Sequence, residues 1–286
     1  MKIPKGLQPL IDDGMIDDVL RPLKSGKEAS VYVVSAGADI LCAKVYKDMA
    51  QRSFQARVQY QEGRKVRGSR QARAMGKATK FGRKEAETAW KNTEAEVLYQ
   101  LMDAGVHVPK PRGYFHGVLL MDLVTDEAGH SAPRLGEVDL EPEQARVFHT
   151  SLIGDVVKML SLGLVHGDLS EYNVLVSPEG PVLIDFPQVV SAAGNNAARD
   201  MLLRDVHNLR GCLGRFAPEL LDTHFGEEMW ALFEKGELRP GSVLTGRFKF
   251  DTRRADVRAV RASIEDARQE NLIRQQGRQA AAEDED

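Results

Sequence analysis

Four polar residues in one short stretch have the types and spacing that phosphoryl transfer requires. His166, Asp168 and Asn173 form the pattern H-x-D-x-x-x-x-N, and Asp185 directly follows the apolar residues 182–184. In this chemistry a protein mainly positions groups and neutralises charge. Asp168 suits the base that takes the acceptor's proton, and Asn173 and Asp185 offer the oxygen ligands that Mg²⁺ prefers. His166 is interpreted as a structural hydrogen-bonding residue. All four are also common turn residues, so the pattern needs support from elsewhere in the chain.

A lysine in the N-terminal half provides that support. Lys44 alternates with apolar neighbours in residues 41–46 and follows a glycine turn by one strand. This is the setting of a lysine that contacts the α- and β-phosphates of ATP, although a lone strand lysine can also be an exposed edge residue. Such a lysine needs an acidic partner, and spacing does not choose among the four candidates that follow: Glu85, Glu87, Glu94 and Glu96.

The turn before this lysine strand is a candidate phosphate-binding loop with only one glycine. It reads Ser25-Gly-Lys-Glu-Ala-Ser30, so it is not the G-x-G-x-x-G loop of protein kinases. It is not a Walker motif either, because Glu28 stands where Ser or Thr is required. Backbone N–H groups, the hydroxyls of Ser25 and Ser30, and Lys27 are suited to face phosphates. The alternative is a plain turn that leads into a hairpin.

The hydrophobic pattern predicts an α+β fold with a β-rich first part and a helical second part. Apolar residues at helical spacing from Leu7 to Leu20 predict a lead-in helix that ends near Pro22. Two runs of β-forming residues with glycine turns predict hairpins over 31–46 and 114–124. Helical patterns follow at 84–104, 142–163, 198–235 and 251–280.

Composition and charge narrow the class of protein. The chain has 286 residues, a formal net charge of −3 and two cysteines, which excludes a disulfide framework and favours a reducing cytoplasm. No apolar run is long enough to span a membrane. Residues 51–84, however, carry eleven Lys or Arg against one acidic residue. We interpret this basic insert as a flexible or partner-ordered loop, for which RNA or a ribosomal particle is a candidate partner.

Taken together, four motifs resemble the RIO family of atypical serine/threonine protein kinases. They are residues 25–32 (SGKEASVY), 43–46 (AKVY), 166–173 (HGDLSEYN) and 184–188 (IDFPQ). The resemblance runs from about residue 15 to about residue 235, and it is to a minimal member of the kind expected in bacteria. It implies a two-lobed protein-kinase-like fold, with an N-terminal antiparallel sheet, one main helix in that lobe and a mostly helical C-lobe. The expected divisions are a lead-in at 1–18, an N-lobe at 19–124, a C-lobe at 125–245, and a polar helix with an acidic tail at 246–286.

The resemblance also implies roles for individual residues. In the family, the glutamate that pairs with the lysine lies four residues after a tryptophan, so Trp90 points to Glu94. Met121 would be the gatekeeper, and the carbonyl of Asp122 and the N–H of Val124 would hold adenine. Asp168 would be the catalytic base. The metal ligands for Mg²⁺ or Mn²⁺ would be Asn173 and Asp185. In some members the metal-binding aspartate itself takes the phosphoryl group, which makes Asp185 a second candidate catalytic residue.

Two departures from ordinary protein kinases affect the predicted function. Gly167 replaces the arginine of H-R-D, and the helical pattern over 198–216 leaves no room for an ordinary activation loop. We expect ATP-dependent phosphorylation of serine or threonine in a protein, including autophosphorylation. The alternatives are a small-molecule phosphotransferase of the aminoglycoside or choline kinase type and an ATPase switch that binds RNA or ribosomal particles.

Overall fold

The computed structural model describes residues 3–26, 29–47 and 94–250. The chain divides after Phe248 into two units, and the described residues up to Phe248 belong to the first. Several predicted features therefore lie outside the described residues: Lys27, Glu85, Glu87, Trp90, the basic insert at 51–84, and the C-terminal helix with its acidic tail. All the geometry below belongs to the first unit.

Five antiparallel strands form a sheet in the N-terminal half. They are β1 (Asp18–Ser25), β2 (Ala29–Ala36), β3 (Asp39–Tyr46), β4 (Pro111–Phe115) and β5 (Val118–Asp122). Their order across the sheet is β1-β2-β3-β5-β4, so the lysine strand β3 is central. Both predicted hairpins are confirmed, as β2–β3 and β4–β5.

The N-terminal segment differs from the sequence-based expectation. Helix α1 covers only Gln8–Asp12, and Gly14 follows with a φ of 68°, a left-handed conformation in which a helix ends. Val19 lies in β1 instead of in a helix that ends near Pro22. Because β1 is at the edge of the sheet, Pro22 can sit in it without an N–H to donate.

The two faces of the sheet pack against different cores. Successive side chains of a strand point to opposite faces, and in β3 Leu41 and Ala43 join α1 in one apolar cluster. On the other face, Tyr46 and Met121 belong to the main core. Helix α2, whose described part covers residues 94–103, packs there through Leu98 and Leu101. Lys44 shares its face of β3 with Tyr46, so the alternation directs it toward α2 and not toward α1.

The C-terminal half is mostly helical, as expected. It contains α3 (Pro142–Ser161), α4 (Ala198–Leu213) and α5 (Phe225–Glu234). Two small two-stranded sheets lie between α3 and α4. The strands β7 (Val174–Ser177) and β8 (Gly180–Leu183) form a hairpin, and β6 (Leu164–Val165) pairs with β9 (Val190–Ser191) on either side of it in the chain. The α+β class is thus confirmed. In the described part of the chain, no helix combines the length and the apolar character that crossing a membrane would take.

Candidate active site

Lys44 joins the two halves of the site. Its Nζ donates to Glu94 Oε1 and to Asp185 Oδ1, with both distances 2.7 Å. Lys44 and Glu94 are 12% and 3% exposed, while Asp185 is 47% exposed. The Glu94 carboxylate therefore anchors the lysine from the buried side, and Asp185 meets it at the open side. Of the other three glutamates considered, Glu96 is exposed on α2, and two lie outside the described residues.

Electrostatic attraction keeps Lys44 and Asp185 charged. Burial by itself would lower the pKa of Lys44, but the negative charges of Glu94 and Asp185 outweigh it and raise that pKa above its ordinary value. Burial would raise the pKa of Asp185, yet the charge and hydrogen bond of Lys44 hold it below its usual range. Asp185 also has a φ of 69°, which is costly for a residue with a Cβ. The site therefore contains a fixed ammonium beside an ionised carboxylate.

Tyr46 is a site residue that the sequence reasoning did not identify. Its hydroxyl donates to Glu94 Oε2, and its ring lies 5.6 Å from the Lys44 ammonium. Tyr46 and Glu94 are both buried, so this bond fixes the carboxylate that fixes the lysine. The strand alternation contains the signal, because residues 44 and 46 must lie on the same face of β3.

Asp168 lies at the exposed end of the same cleft. Its Oδ2 accepts a bond of 3.3 Å from Gln188 Nε2, and its backbone carbonyl accepts one of 2.8 Å from Asn173 Nδ2. Burial and the nearby charge of Asp185 raise the pKa of Asp168, while Arg204 acts in the opposite direction. Gln188 ends the motif at 184–188, but the sequence did not indicate a role for it. Here it orients the Asp168 carboxylate and leaves the other oxygen, Oδ1, available.

A buried aspartate in α4 holds the backbone around Asp168. The two carboxylate oxygens of Asp205 accept the N–H groups of Gly167 and Leu169 at 2.7 and 2.9 Å. Asp205 is 1% exposed, and burial raises its pKa to about 7 although these bonds oppose the rise. The sequence reasoning missed this residue. Its signal was an acidic residue within the apolar stripe of α4, beside Leu202, Val206 and Leu209.

The surroundings of residue 167 explain why it is a glycine. Its φ is 83°, and a Cβ at this position would come within 2.8 Å of the Gln188 carbonyl oxygen. A side chain there would push residue 188 away from Asp168. The preceding His166 is 2% exposed, and its Nε2 lies 3.2 Å from the Ile184 carbonyl. Burial lowers the pKa of His166 to about 4, so a neutral, structural histidine fits this position.

The cleft between the sheet and the C-terminal half measures about 640 Å³. Apolar side chains line its inner part, and Met121, Asp122 and Val124 border it at the end of β5. The Val124 carbonyl accepts an N–H bond of 2.9 Å from Ala132. From the turn predicted to cover phosphates, Gly26 and Ala29 line the cleft, whereas Ser25 and Ser30 do not and their Oγ atoms lie 3.2 Å from each other. The size and the partly apolar lining suit a nucleotide.

The residues predicted to hold a metal ion are suited to a hard cation. Asp185 and Asn173 both line the cleft and carry oxygen donors. The amide nitrogen of Asn173 is already bonded to the Asp168 carbonyl, which leaves its amide oxygen for an ion. Within the described ranges, no group of three or more His, Cys, Asp or Glu is arranged around a common point. Two protein oxygens are nevertheless enough for Mg²⁺, which takes most of its ligands from phosphates and water.

Comparison with known proteins supports the same interpretation of the site. Residues 30–225 match the RIO domain, which is more than half of the chain. The chain belongs to the RIO family. Because a RIO domain is kinase-like, the two-lobed protein-kinase-like fold is confirmed as well, with Lys44 in the N-lobe and Asp168 in the C-lobe.

Relatives of this RIO protein come from archaea and eukaryotes. It is 34% identical over 202 residues to the RIO-type serine/threonine-protein kinase Rio1 of Haloferax volcanii, covering 70% of this chain and 64% of the relative. For the Rio1 of Methanocaldococcus jannaschii the identity is 33% over 190 residues, with 65% and 60% covered. For the serine/threonine-protein kinase RIO1 of Caenorhabditis elegans it is 28% over 201 residues, with 70% and 38% covered. The matched region thus spans less than two thirds of each of these relatives, and a bacterial origin stays a prediction.

Proposed function

We propose that this RIO protein transfers the γ-phosphoryl group of ATP to a serine or threonine hydroxyl of a protein, including its own chain. The observation that carries the proposal is the Lys44 bridge between Glu94 and Asp185, at the mouth of a cleft that also contains Asp168. Phosphoryl transfer needs a positioned cation and carboxylates beside a nucleotide. Here the cation is Lys44, which buried Glu94 holds, and the carboxylates are those of Asp168 and Asp185. The names of the relatives, which are serine/threonine-protein kinases, support the same activity.

ATP would enter with its adenine toward the end of β5. There the Asp122 carbonyl and the Val124 N–H would bond the adenine edge, with Met121 behind it as gatekeeper. The phosphates would lie toward Lys44 and under the turn that contains Ser25 and Lys27. Because Glu94 holds the lysine in place, its charge is already oriented before the transition state forms.

The acceptor hydroxyl would approach from the Asp168 side. Its oxygen forms a bond to the γ-phosphorus, the bond from that phosphorus to ADP breaks, and the proton passes to Asp168 Oδ1. Gln188 holds the other carboxylate oxygen during this step. Asn173 and Asp185 would hold Mg²⁺ or Mn²⁺, which when bound neutralises charge on the phosphates.

Incubation with ATP labelled at the γ-phosphate tests this proposal directly. Asp168→Ala should abolish label transfer and leave ATP binding nearly intact, because Asp168 acts on the acceptor and not on the nucleotide. Asp200→Ala is a suitable control, since Asp200 is an exposed residue on α4. An equal loss of ATP binding and label transfer in Asp168→Ala would contradict the assignment of the base.

Asp185 offers a second acceptor for the phosphoryl group. Its carboxylate is 47% exposed in the cleft, so we propose that an aspartyl-phosphate on Asp185 accompanies the transfer to hydroxyls. Hydrolysis of that intermediate would appear as ATPase activity. The stability of the label separates the two products, because an acyl phosphate is cleaved by hydroxylamine and phosphoserine is not. Hydroxylamine-resistant label alone would exclude the aspartyl-phosphate.

The partner and the location of the protein complete the proposal. The excess of basic residues at 51–84 supports association with RNA or a ribosomal particle, and binding should then fall steeply with salt. Replacing several arginines at 64–73 with glutamine should weaken that binding and reduce its salt dependence, and unchanged binding at low salt would contradict it. Cys42 and Cys212 are free thiols, which supports a cytoplasmic location.

A further inference from the structure

Arg204 contacts the catalytic loop from the surface of α4. Its Nη2 donates a bond of 2.6 Å to the carbonyl of Gly167, the residue directly before Asp168. The neighbouring Asp205 holds the same loop from the buried side. Arg204 itself is exposed, and it does not line the ATP cleft, whereas Asp168 and Gln188 do. The guanidinium therefore contacts the catalytic loop at the residue next to Asp168, outside the cleft lining.

The positive charge of Arg204 has no carboxylate partner within ion-pair distance among residues 3–26, 29–47 and 94–250. Some exposed arginines of the described residues are paired, such as Arg199 with Asp200 at 3.7 Å and Arg146 with Glu143 and Glu219. Others in the same ranges are exposed without such a pair: Arg21, Arg215, Arg239 and Arg247. Among these exposed, unpaired arginines of the described residues, only Arg204 is bonded to the backbone next to Asp168. The charge of Arg204 does act on Asp168, because it opposes the rise in the pKa of Asp168 that burial and Asp185 cause. An exposed guanidinium that uses only Nη2 for the loop keeps several N–H donors for another group.

We propose that Arg204 binds an acidic side chain of the acceptor protein, so that the enzyme prefers serine or threonine flanked by Asp or Glu. This inference rests on the protein kinase activity proposed above. A guanidinium fits a carboxylate better than any neutral group, because its planar N–H donors match the two oxygens. An accepting hydroxyl must lie within hydrogen-bonding distance of Asp168. Arg204 contacts the residue next to Asp168, so the peptide has only a short distance to span between the two side chains. Since an extended peptide advances about 3.3 Å per residue, the acidic side chain belongs within about three residues of the acceptor.

Peptide phosphorylation by charge variants tests the preference. The substrates are serine peptides of one sequence that carry a single Glu, Gln or Lys at each position from about −3 to +3 around the acceptor. The enzymes are the wild type, Arg204→Gln, Arg204→Glu and the control Arg199→Glu. Arg204→Gln removes the charge and keeps an N–H donor on a shorter side chain, and any loss of the loop contact cancels in a ratio of activities. The readouts are the ratios of kcat/KM for the Glu peptide to those for the Gln and Lys peptides, in which general losses of activity cancel.

At one position or more, the wild type should favour the Glu peptide about fivefold over the Gln peptide, as a partly exposed charge pair allows. Arg204→Gln should abolish the preference, Arg204→Glu should reverse it toward Lys, and Arg199→Glu should leave it unchanged. A preference that is unchanged in Arg204→Gln and Arg204→Glu would overturn the inference while leaving the kinase activity standing. If no peptide and no protein accepts label from the wild type, the proposed function fails and the preference fails with it.

Discussion

The hydrogen bonds of Asp205 lead to a prediction about the geometry of the catalytic loop. Asp205→Asn keeps the size of the side chain but replaces one carboxylate oxygen with an NH₂ group. The oxygens now accept from Gly167 and Leu169 at 2.7 and 2.9 Å, so the new NH₂ would face an N–H donor. One charge-assisted bond in a buried site is lost and the other is weakened. The loop that carries Asp168 must then shift.

The size of the effect follows from these contacts. Losing one such bond costs about 2 kcal/mol of unfolding free energy, because bonds to charged groups contribute more than neutral ones. A displacement of about 1 Å at the base lowers kcat about a hundredfold. ATP binding should change little, since Asp205 touches no residue that borders the adenine end of the cleft.

The unfolding measurement should be made at pH 8. Burial raises the pKa of Asp205 from 3.8 to about 7, so its protonated form favours the folded state at low pH. That contribution is lost as the pH rises from 3.8 to about 7. At pH 8 the carboxyl is ionised in both the folded and the unfolded chain, so the comparison contains no proton uptake and reports the hydrogen bonds together with the cost of the buried charge.

The assay combines urea unfolding, ATP titration and label transfer, with Asp200→Asn as the exposed control on the same helix. A kcat within about threefold of the wild type, together with unchanged stability, would refute the role of Asp205 in holding the loop. A parallel loss of ATP binding and kcat would instead show that Asp205 supports the whole fold.

Three further changes test other parts of the structure. Tyr46→Phe leaves a buried oxygen of Glu94 without its hydroxyl donor and should cost about 2 kcal/mol in urea unfolding; a loss below about 0.5 kcal/mol would contradict that bond. Gly167→Ala places a Cβ 2.8 Å from the Gln188 carbonyl at a φ of 83°, so kcat should fall at least about tenfold with ATP binding retained; wild-type kcat would show that residue 188 can move freely. His149 is buried against Phe225, and burial lowers its pKa from 6.5 to about 4. The neutral imidazole therefore stabilises the folded state above pH 6.5, and this stabilisation is lost as the pH falls toward 4. Wild-type stability should therefore drop by about 2 kcal/mol more than that of His149→Phe between pH 7 and pH 5, and equal drops would refute the shift.

Some of the site could be predicted from the sequence because its residues are close along the chain. Asp168, Asn173 and Asp185 lie beside short strands that are marked by apolar runs, so their spacing already indicates one site. The alternation of β3 likewise puts Lys44 and Tyr46 on the same face.

The first strand shows why periodicity can mislead. In β1 only Val19 is fully buried, because this strand lies at the edge of the sheet. Its pairing with β2 shifts register between Val19 and Arg21 and again between Pro22 and Lys24. These irregularities break the two-residue alternation that identifies a strand, and the remaining apolar residues imitate helical spacing.

The sequence by itself determined the α+β class and the family and identified the candidate reacting residues, since each depends on local spacing. Spacing did not choose the partner of Lys44, and only the family resemblance pointed to Glu94, which the tertiary structure places at Lys44. Only the tertiary structure brought Asp205 to the N–H groups of Gly167 and Leu169, and Arg204 to the Gly167 carbonyl. These partners are 36 to 50 residues apart along the chain. No local pattern specifies such pairs, because they form only when α2 packs on the sheet and α4 packs beneath the loop.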